Sequence, residues 1–139
     1  MSIMSPTQFI SAVTVLVPDY DAGIAFYVGA LGFALVEDRA LSPTKRWVLV
    51  APPGAREARL LLAKAEGPLQ AARIGDQTGG RVALFLTTDD FARDHAAMLA
   101  RGVKFRESPR VEPFGTVAVF EDPFGNAWDL IQPARGETP

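Results

Sequence analysis

The sequence predicts an α+β domain in which two βαβββ modules form half-open, curved sheets around a cleft. The first reason is the order of elements, because a strand pattern, an aspartate-started helix and three further strand patterns occur twice along the chain. The second is the alignment of the halves: with Asp19 placed on Asp90, Gly32 falls opposite Val103, next to Gly102. The third is size, since 139 residues with 48% apolar side chains suit one domain with a substantial core.

Module one is predicted at about residues 9–66. Residues 10–17 (ISAVTVLV) are rich in β-branched side chains, which favours a strand. Asp19 or Asp21 is suited to cap the helix that follows, and Gly32 is suited to end it. Three further strands are predicted at residues 33–36, 46–51 and 59–63.

Residues 67–79 are predicted to be a linker with a short helix and a glycine-rich end. Module two, at about residues 80–132, repeats the pattern, and Asp89 or Asp90 is suited to cap its helix at residues 91–100. Its strands are predicted at residues 81–87, 103–105, 116–120 and 127–131. The proline-broken segment 107–115 is predicted to be a loop, and residues 133–139 a flexible tail.

Composition excludes several classes of protein. Fourteen basic and sixteen acidic side chains give a net charge of −2, which offers no electrostatic basis for binding nucleic acid or an anionic membrane. The absence of cysteine excludes disulfides, thiol nucleophiles and thiolate metal sites. No apolar run is long enough for a membrane span, and the first ten residues lack a signal-peptide pattern. We therefore expect a cytoplasmic protein.

Several motifs resemble one known superfamily. They are VPDYDAGIAFY at 17–27 with LGF at 31–33, then TDDF at 88–91, ARGV at 100–103 and VFEDPFGNAWDL at 119–130. In this order, over residues 10–132, they resemble the vicinal oxygen chelate superfamily, which includes glyoxalase I, extradiol dioxygenases and the fosfomycin- and bleomycin-resistance proteins. The resemblance implies a glyoxalase-like fold and a homodimer. It does not fix the reaction, because one fold can carry many activities.

The resemblance also implies positions for a divalent metal, and this chain lacks most of the expected ligands. The two first-strand ligand positions correspond to Ala12 and Ala83, and the last strand of module one contains no acid. Only Asp129 corresponds to a family ligand. The single histidine, His95, lies on the second helix, where we favour a plain structural role. We expect no cofactor and no metal site, with Asp129 as the ligand if a divalent metal binds.

Strand alternation indicates which side chains face the cleft. If Asp129 faces it, then Trp128 and Leu130 face the helices. The same alternation places Thr14 on the cleft side of the first strand, with Arg81 and Phe85 on the cleft side of the fifth. Arg81 and Asp129 are therefore candidate ligand-binding residues. We slightly favour the alternative, in which they form a structural ion pair or Arg81 points to solvent.

Two further candidates lie outside the strands. Gln77 precedes the fifth strand in a glycine-rich stretch where backbone amides could approach a ligand. We favour a simple turn between modules for this stretch. Glu112 lies in segment 107–115, which could form the rim of a cleft or an ordinary solvated connection.

Three functions agree with these features. We favour a bleomycin-resistance-like protein that binds a small organic molecule in the cleft without a histidine metal site. The alternative is a glyoxalase-type lyase, isomerase or hydrolase acting on a small carbonyl or hydroxylated substrate, with Asp129 as metal ligand or general base and Arg81 holding an anion. The third is a protein that keeps the fold for interaction with a partner.

Overall fold

The computed structural model describes residues 7–135, which form two sheets, one in each module. The strands are β1 Ala12–Val17, β2 Ala34–Ala40, β3 Arg46–Ala51, β4 Arg59–Lys64, β5 Leu84–Thr87, β6 Lys104–Phe105, β7 Arg110–Glu112, β8 Gly115–Glu121 and β9 Ala127–Pro133. The helices are α1 Tyr20–Ile24, continued by a π-helix at Ala25–Ala30, then α2 Gly67–Ala71 and α3 Phe91–Ala100.

The first sheet has the strand order β1-β4-β3-β2, and the second has β5-β9-β8-β6, with β7 also paired to β8. The pairs β1/β4 and β5/β9 are parallel and the others are antiparallel. This arrangement confirms the α+β class with two βαβββ modules. The equivalent helix starts are confirmed too, because Asp19 accepts a hydrogen bond from the Ala22 amide and Asp90 accepts one from the Arg93 amide.

One hydrophobic core joins the modules. Tyr27 of module one packs against Trp128 of β9, with ring centroids 5.8 Å apart, and Phe33 packs against the same indole at 6.0 Å. Trp128 and Leu130 are buried, as their positions in the strand predict, while Phe85 is 67% exposed. The helix-facing sides of the two sheets therefore build the core, and their opposite faces are open.

The helix of module one contains a π-helical turn, in which two consecutive side chains are buried. The Leu31 amide bonds the Phe26 carbonyl at 2.9 Å, a bond from residue i to i−5. Phe26 and Tyr27 are consecutive, yet both are buried against the core. Gly32 then ends the helical segment at a φ of +80°, a conformation that favours glycine.

Several predicted boundaries are wrong, and the strand predicted at residues 33–36 runs over Ala34–Ala40. Segment 107–115 contains strand β7, because the residues between its two prolines pair antiparallel with β8 at the edge of the sheet. The two-residue connection after Glu112 returns through Gly115, whose φ is +151°. The fifth strand begins at Leu84 rather than Arg81, because its partner β9 begins at Ala127 and, among residues 7–135, no strand lies beside residues 81 and 82.

The described part of the chain ends shortly after strand β9. Strand β9 runs to Pro133, and the Ala134 amide donates to the Phe114 carbonyl at 2.8 Å. The predicted tail from residue 136 onward lies outside the described residues, as do residues 1–6. Between residues 7 and 135, no helix is long and apolar enough to cross a membrane.

Candidate functional site

The open face of the first sheet holds a depression of about 570 Å³, here called the first-sheet depression. Residues around it include Thr14, Leu16, Trp47, Leu61, Ala63 and Gln77. Leu61 lies between Thr14 of β1 and Leu49 of β3 in the strand register, so its side chain is at the centre of this face. The surface is therefore an apolar floor surrounded by polar and charged side chains, which include Lys45, Lys64 and Glu66, and an apolar floor of this kind can hold a small organic ligand.

Gln77 is fixed beside this floor by both ends of its amide. Its Oε1 accepts a hydrogen bond from the Leu16 amide at 2.8 Å, and its Nε2 donates to the Thr14 carbonyl at 3.0 Å. These are backbone groups of β1 on the side away from β4, so the side chain acts as a short piece of neighbouring strand. The predicted linker is thus held against the depression rather than being only a turn.

Arg46 forms one wall of the first-sheet depression. It donates to Asp21 at 2.9 Å and to Asp38 at 2.7 Å, and its guanidinium carbon lies 5.3 Å from the ring centroid of Tyr20. Hydrogen bonding to Arg46 lowers the pKa of Asp38. Sequence analysis missed this group, because its members are far apart in the chain and no motif joins them.

The open face of the second sheet holds a separate depression of about 490 Å³, here called the second-sheet depression. It is lined by Arg81, Val82, Phe85 and Asp129. Phe85 of β5 pairs with Asp129 of β9 in the strand register, and Val119 of β8 pairs with Asp129 from the other side. The aromatic ring and the carboxyl group are therefore neighbours on one sheet face.

Asp129 is half-buried, and its Oδ1 is enclosed with no hydrogen-bond partner among the described residues. Burial raises the pKa of Asp129, the nearby Arg110 opposes this by lowering it, and Glu107 raises it further. Arg110 is already engaged, because it donates to Glu107 at 2.7 Å and to Glu112 at 3.3 Å. Within the described part of the chain, no side-chain or backbone donor therefore stabilises the charge of this enclosed oxygen.

The candidate residues from the sequence fall into three places. Arg81, Phe85 and Asp129 share the second-sheet depression, although residues 7–135 contain no ion pair between Arg81 and Asp129. Thr14 and Gln77 share the first-sheet depression. Glu112 lies on β7, where it binds Arg110.

The side chains do not fit the divalent metal that the family resemblance implies. Ala12 and Ala83 offer no ligand atom, and the described part of the chain contains no group of three His, Asp or Glu side chains able to hold a metal. His95 is half-buried between Phe91, with ring centroids 5.3 Å apart, and Phe105, at 4.5 Å. This packing agrees with a structural role for the histidine.

Comparison with known proteins places this fold in a family. A model of the glyoxalase/bleomycin resistance protein/dioxygenase superfamily matches residues 9–130. An uncharacterized protein of Shewanella frigidimarina (strain NCIMB 400) is 52% identical over 126 residues, which are 90% of this chain and 93% of that protein.

Solved structures agree with this match. UcmS2 superimposes with a TM-score of 0.79 at 30% identity, over 91% of this chain and 98% of that one. TnmS3, an antibiotic binding protein from Streptomyces sp. CB03234, gives a TM-score of 0.74 at 32% identity, over 94% and 100%. The chain belongs to the glyoxalase/bleomycin resistance protein/dioxygenase superfamily.

Proposed function

We propose that this protein binds a small organic molecule in the first-sheet depression and requires no metal to do so. The supporting observation is the apolar floor on an open sheet face, with a volume of about 570 Å³. Ligand sites of roughly 300–1,000 Å³ with mainly apolar walls and few polar groups are typical of proteins that bind small molecules. The similarity to TnmS3, which is described as an antibiotic binding protein, supports the same class of function.

The residues around the floor suggest how a ligand would be held. The half-buried residues Leu61 and Trp47 offer apolar contact, and Thr14, a polar residue, is exposed beside them. Gln77 and Arg46 are already fixed by hydrogen bonds, so they can form walls without losing much side-chain entropy when a ligand arrives.

We further propose that two chains form a homodimer and that the protein works in the cytoplasm, as the lack of cysteine suggests. Phe85 is 67% exposed and Val111 of β7 is 85% exposed, so the second sheet offers apolar surface for a partner chain. Sedimentation equilibrium should give a mass of about twice the 15.0 kDa of the chain. A monomer at high protein concentration would refute the proposed homodimer but would leave the proposal of ligand binding unaffected.

Ligand binding can be tested with a panel of ring-containing antibiotics, using quenching of tryptophan fluorescence, to which Trp47 beside the depression contributes, as the readout. Leu61→Gln places a polar group on the floor and should weaken the binding of any active compound at least tenfold, which corresponds to about 1.4 kcal/mol. Leu99→Gln is the matched control, because Leu99 is exposed on α3 and lines neither depression. Equal binding by both variants, or no binding by any compound, would refute the proposal.

A second candidate function is proton transfer by Asp129, favoured by the raised pKa of its carboxyl group. The hemithioacetal of methylglyoxal and glutathione is a suitable carbonyl-derived probe. Catalysis would appear in NMR spectra as exchange of the carbon-bound proton with D₂O above the uncatalysed rate, and it would be lost in Asp129→Asn. Exchange at the uncatalysed rate would argue against this activity.

A further inference from the structure

We propose that a pocket between the two modules, beside helix α3, is a separate binding site for a single-ring aromatic carboxylate, whose ring enters the pocket while its carboxylate binds Arg101. This pocket has a volume of about 170 Å³ and is here called the intermodule pocket. It shares no lining residue with the first-sheet or the second-sheet depression, so the site is independent of the function proposed above.

Both modules supply apolar walls to the intermodule pocket. Module one contributes the buried side chains of Leu31 and Phe33, and module two contributes Met98 of α3, which is 3% exposed. The turn after β3 adds Pro52 and Pro53, whose rings restrict the backbone and whose nitrogens carry no N–H group that needs a partner. The walls are therefore in place before a ligand arrives, which lowers the cost of binding.

Helix α3 leaves room for a ring against these walls. Five residues along one side of the helix line the pocket: Arg93, Asp94, Ala97, Met98 and Arg101. Ala97, at the middle of this row, has only a methyl group as its side chain. An apolar protein cavity of about 150 Å³ is large enough to bind benzene, so the intermodule pocket can hold one aromatic ring.

The start of α3 disfavours an anion in the pocket. Arg93 donates to Asp89 at 2.7 Å and to Asp94 at 3.0 Å, so two carboxylates already share this one cation. The Thr88 hydroxyl also donates to Asp94. These three charged side chains together carry one excess negative charge, which repels a ligand carboxylate from this end of the pocket.

The end of α3 has the opposite character. Arg101 forms no ion pair within residues 7–135, and its Nη1 lies 3.2 Å from the position that a Cβ on Gly32 would occupy. Its full positive charge exceeds the partial charge of about −0.5 at a helix C-terminus. Arg93 is eight residues away, which is roughly 12 Å along the helix, so this end attracts an anion separately.

The ring and the carboxylate have different roles in this site. Covering a ring with Leu31, Phe33 and Met98 removes apolar surface from water, which supplies most of the affinity. Arg101 is exposed, so an ion pair with it adds little affinity, but it fixes which end of the ligand faces solvent. We therefore expect loss of the pocket space to weaken binding more than loss of the charge.

The site can be tested by titrating ¹⁵N-labelled protein with phenylacetate, with phenylacetamide as the matched ligand that has the same ring and no charge. We expect phenylacetate to shift the backbone amide signals of α3 and of residues 31–33 saturably, and phenylacetamide to bind at least threefold more weakly. Equal affinity for phenylacetamide would overturn the proposal. Phenylacetate shifts that are absent, or confined to the strands β1, β3 and β4 of the first-sheet depression, would overturn it too.

Variants separate the two parts of the site. Ala97→Leu fills the pocket and should weaken phenylacetate binding at least tenfold. Ala96→Leu is the matched control and should bind as the parent does, since Ala96 is exposed on the same helix and does not line the pocket. Arg101→Gln should reduce the affinity for phenylacetate to that for phenylacetamide and leave phenylacetamide binding unchanged.

The variants can also refute the assignment. Unchanged phenylacetate affinity in Ala97→Leu, with a dispersed spectrum showing that the variant is folded, would mean that the ring does not enter the pocket. Unchanged affinity in a folded Arg101→Gln would mean that the carboxylate does not bind this arginine.

Discussion

At the scale of single residues, one buried carboxyl group forms a hydrogen bond between the two modules. Asp122 is 2% exposed and Tyr27 is fully buried, and the Tyr27 hydroxyl donates to Asp122 Oδ2 at 2.7 Å. The other carboxyl oxygen accepts from the amides of Phe124 and Asn126, and the same Tyr27 hydroxyl accepts from Trp128 Nε1 at 3.3 Å. Burial and the neighbouring Asp122 raise the pKa of Tyr27, so the phenol keeps the proton that it donates.

Tyr27→Phe should therefore destabilise the protein. The change removes a donor to a buried carboxylate and leaves the Trp128 indole N–H without its acceptor, which costs about 1–3 kcal/mol in total. Urea unfolding gives this free energy directly. Ser42→Ala is a suitable control, because it removes only two exposed hydrogen bonds to Thr44 and should change stability by less than about 0.5 kcal/mol. Equal losses in the two variants would contradict the assigned role.

Asp129 is predicted to make the protein less stable as pH rises, because its carboxyl group is held more firmly in the protonated form when folded. Its folded-state pKa is raised above 3.8, so the folded protein binds this proton more tightly than the unfolded chain does. The resulting stabilisation is complete below pH 3.8 and is lost as pH rises through the folded pKa. Asp129→Asn should therefore be more stable than the parent at pH 7, with the difference vanishing near pH 3, as measured by urea unfolding.

Glu121 provides a control, because its pKa is shifted in the opposite direction to that of Asp129. Hydrogen bonding to Arg106 lowers the pKa of Glu121, so its ionised form stabilises the folded protein above the unfolded value of 4.5. Glu121→Gln should consequently lose stability relative to the parent as pH rises. Parallel pH profiles for the two variants would show that Asp129 is not the desolvated group described above.

At the scale of elements, the linker is positioned by contacts as specific as those of the strands. Gln77 fixes the linker to β1 by hydrogen bonds, and Gly75 lies directly against the β8–β9 turn, close to the backbone of Phe124. Gly75 has a φ of +72°, and a Cβ there would overlap the Phe124 carbonyl. Only glycine satisfies both the backbone conformation and the space at this position.

Gly75→Ala should accordingly cost about 2–4 kcal/mol, from the left-handed conformation together with the overlap. Gly79→Ala is the matched control, because Gly79 has a φ of +65° but no heavy atom within 4 Å of the added Cβ. It should lose only about 1–2 kcal/mol from the backbone conformation. Urea unfolding of both variants measures the difference, and equal losses would mean that the Phe124 contact can relax.

At the scale of the whole molecule, the shared core predicts that the modules unfold together. Rings from module one, Tyr27 and Phe33, pack directly on Trp128 of module two. Separating the modules would expose this surface on both sides, so a half-folded state is disfavoured. In Trp47→Phe, which leaves Trp128 as the only tryptophan, the fluorescence and far-ultraviolet circular dichroism transitions in urea should coincide. Two separate transitions would contradict a common core.

The candidate site was only partly predictable. Alternation along β9 correctly separated Asp129 from the buried Trp128 and Leu130. The position of Gln77 followed from no pattern, since its partners on β1 are 61 and 63 residues away. The wall at Arg46 was missed for the same reason, because its aspartates come from α1 and β2.

The sequence by itself determined the two modules and the face of β9 that carries Asp129, and it narrowed each helix cap to two neighbouring aspartates, because local backbone preferences and side-chain periodicity act over a few residues. Tertiary structure alone decided that Thr14 and Gln77 belong to one depression, while Arg81, Phe85 and Asp129 belong to another. It also decided that Asp129 Oδ1 has no hydrogen-bond partner within residues 7–135. The physical reason is that hydrogen bonds, burial and electrostatics depend on distances in space, which strand pairing and core packing set between residues far apart in the chain.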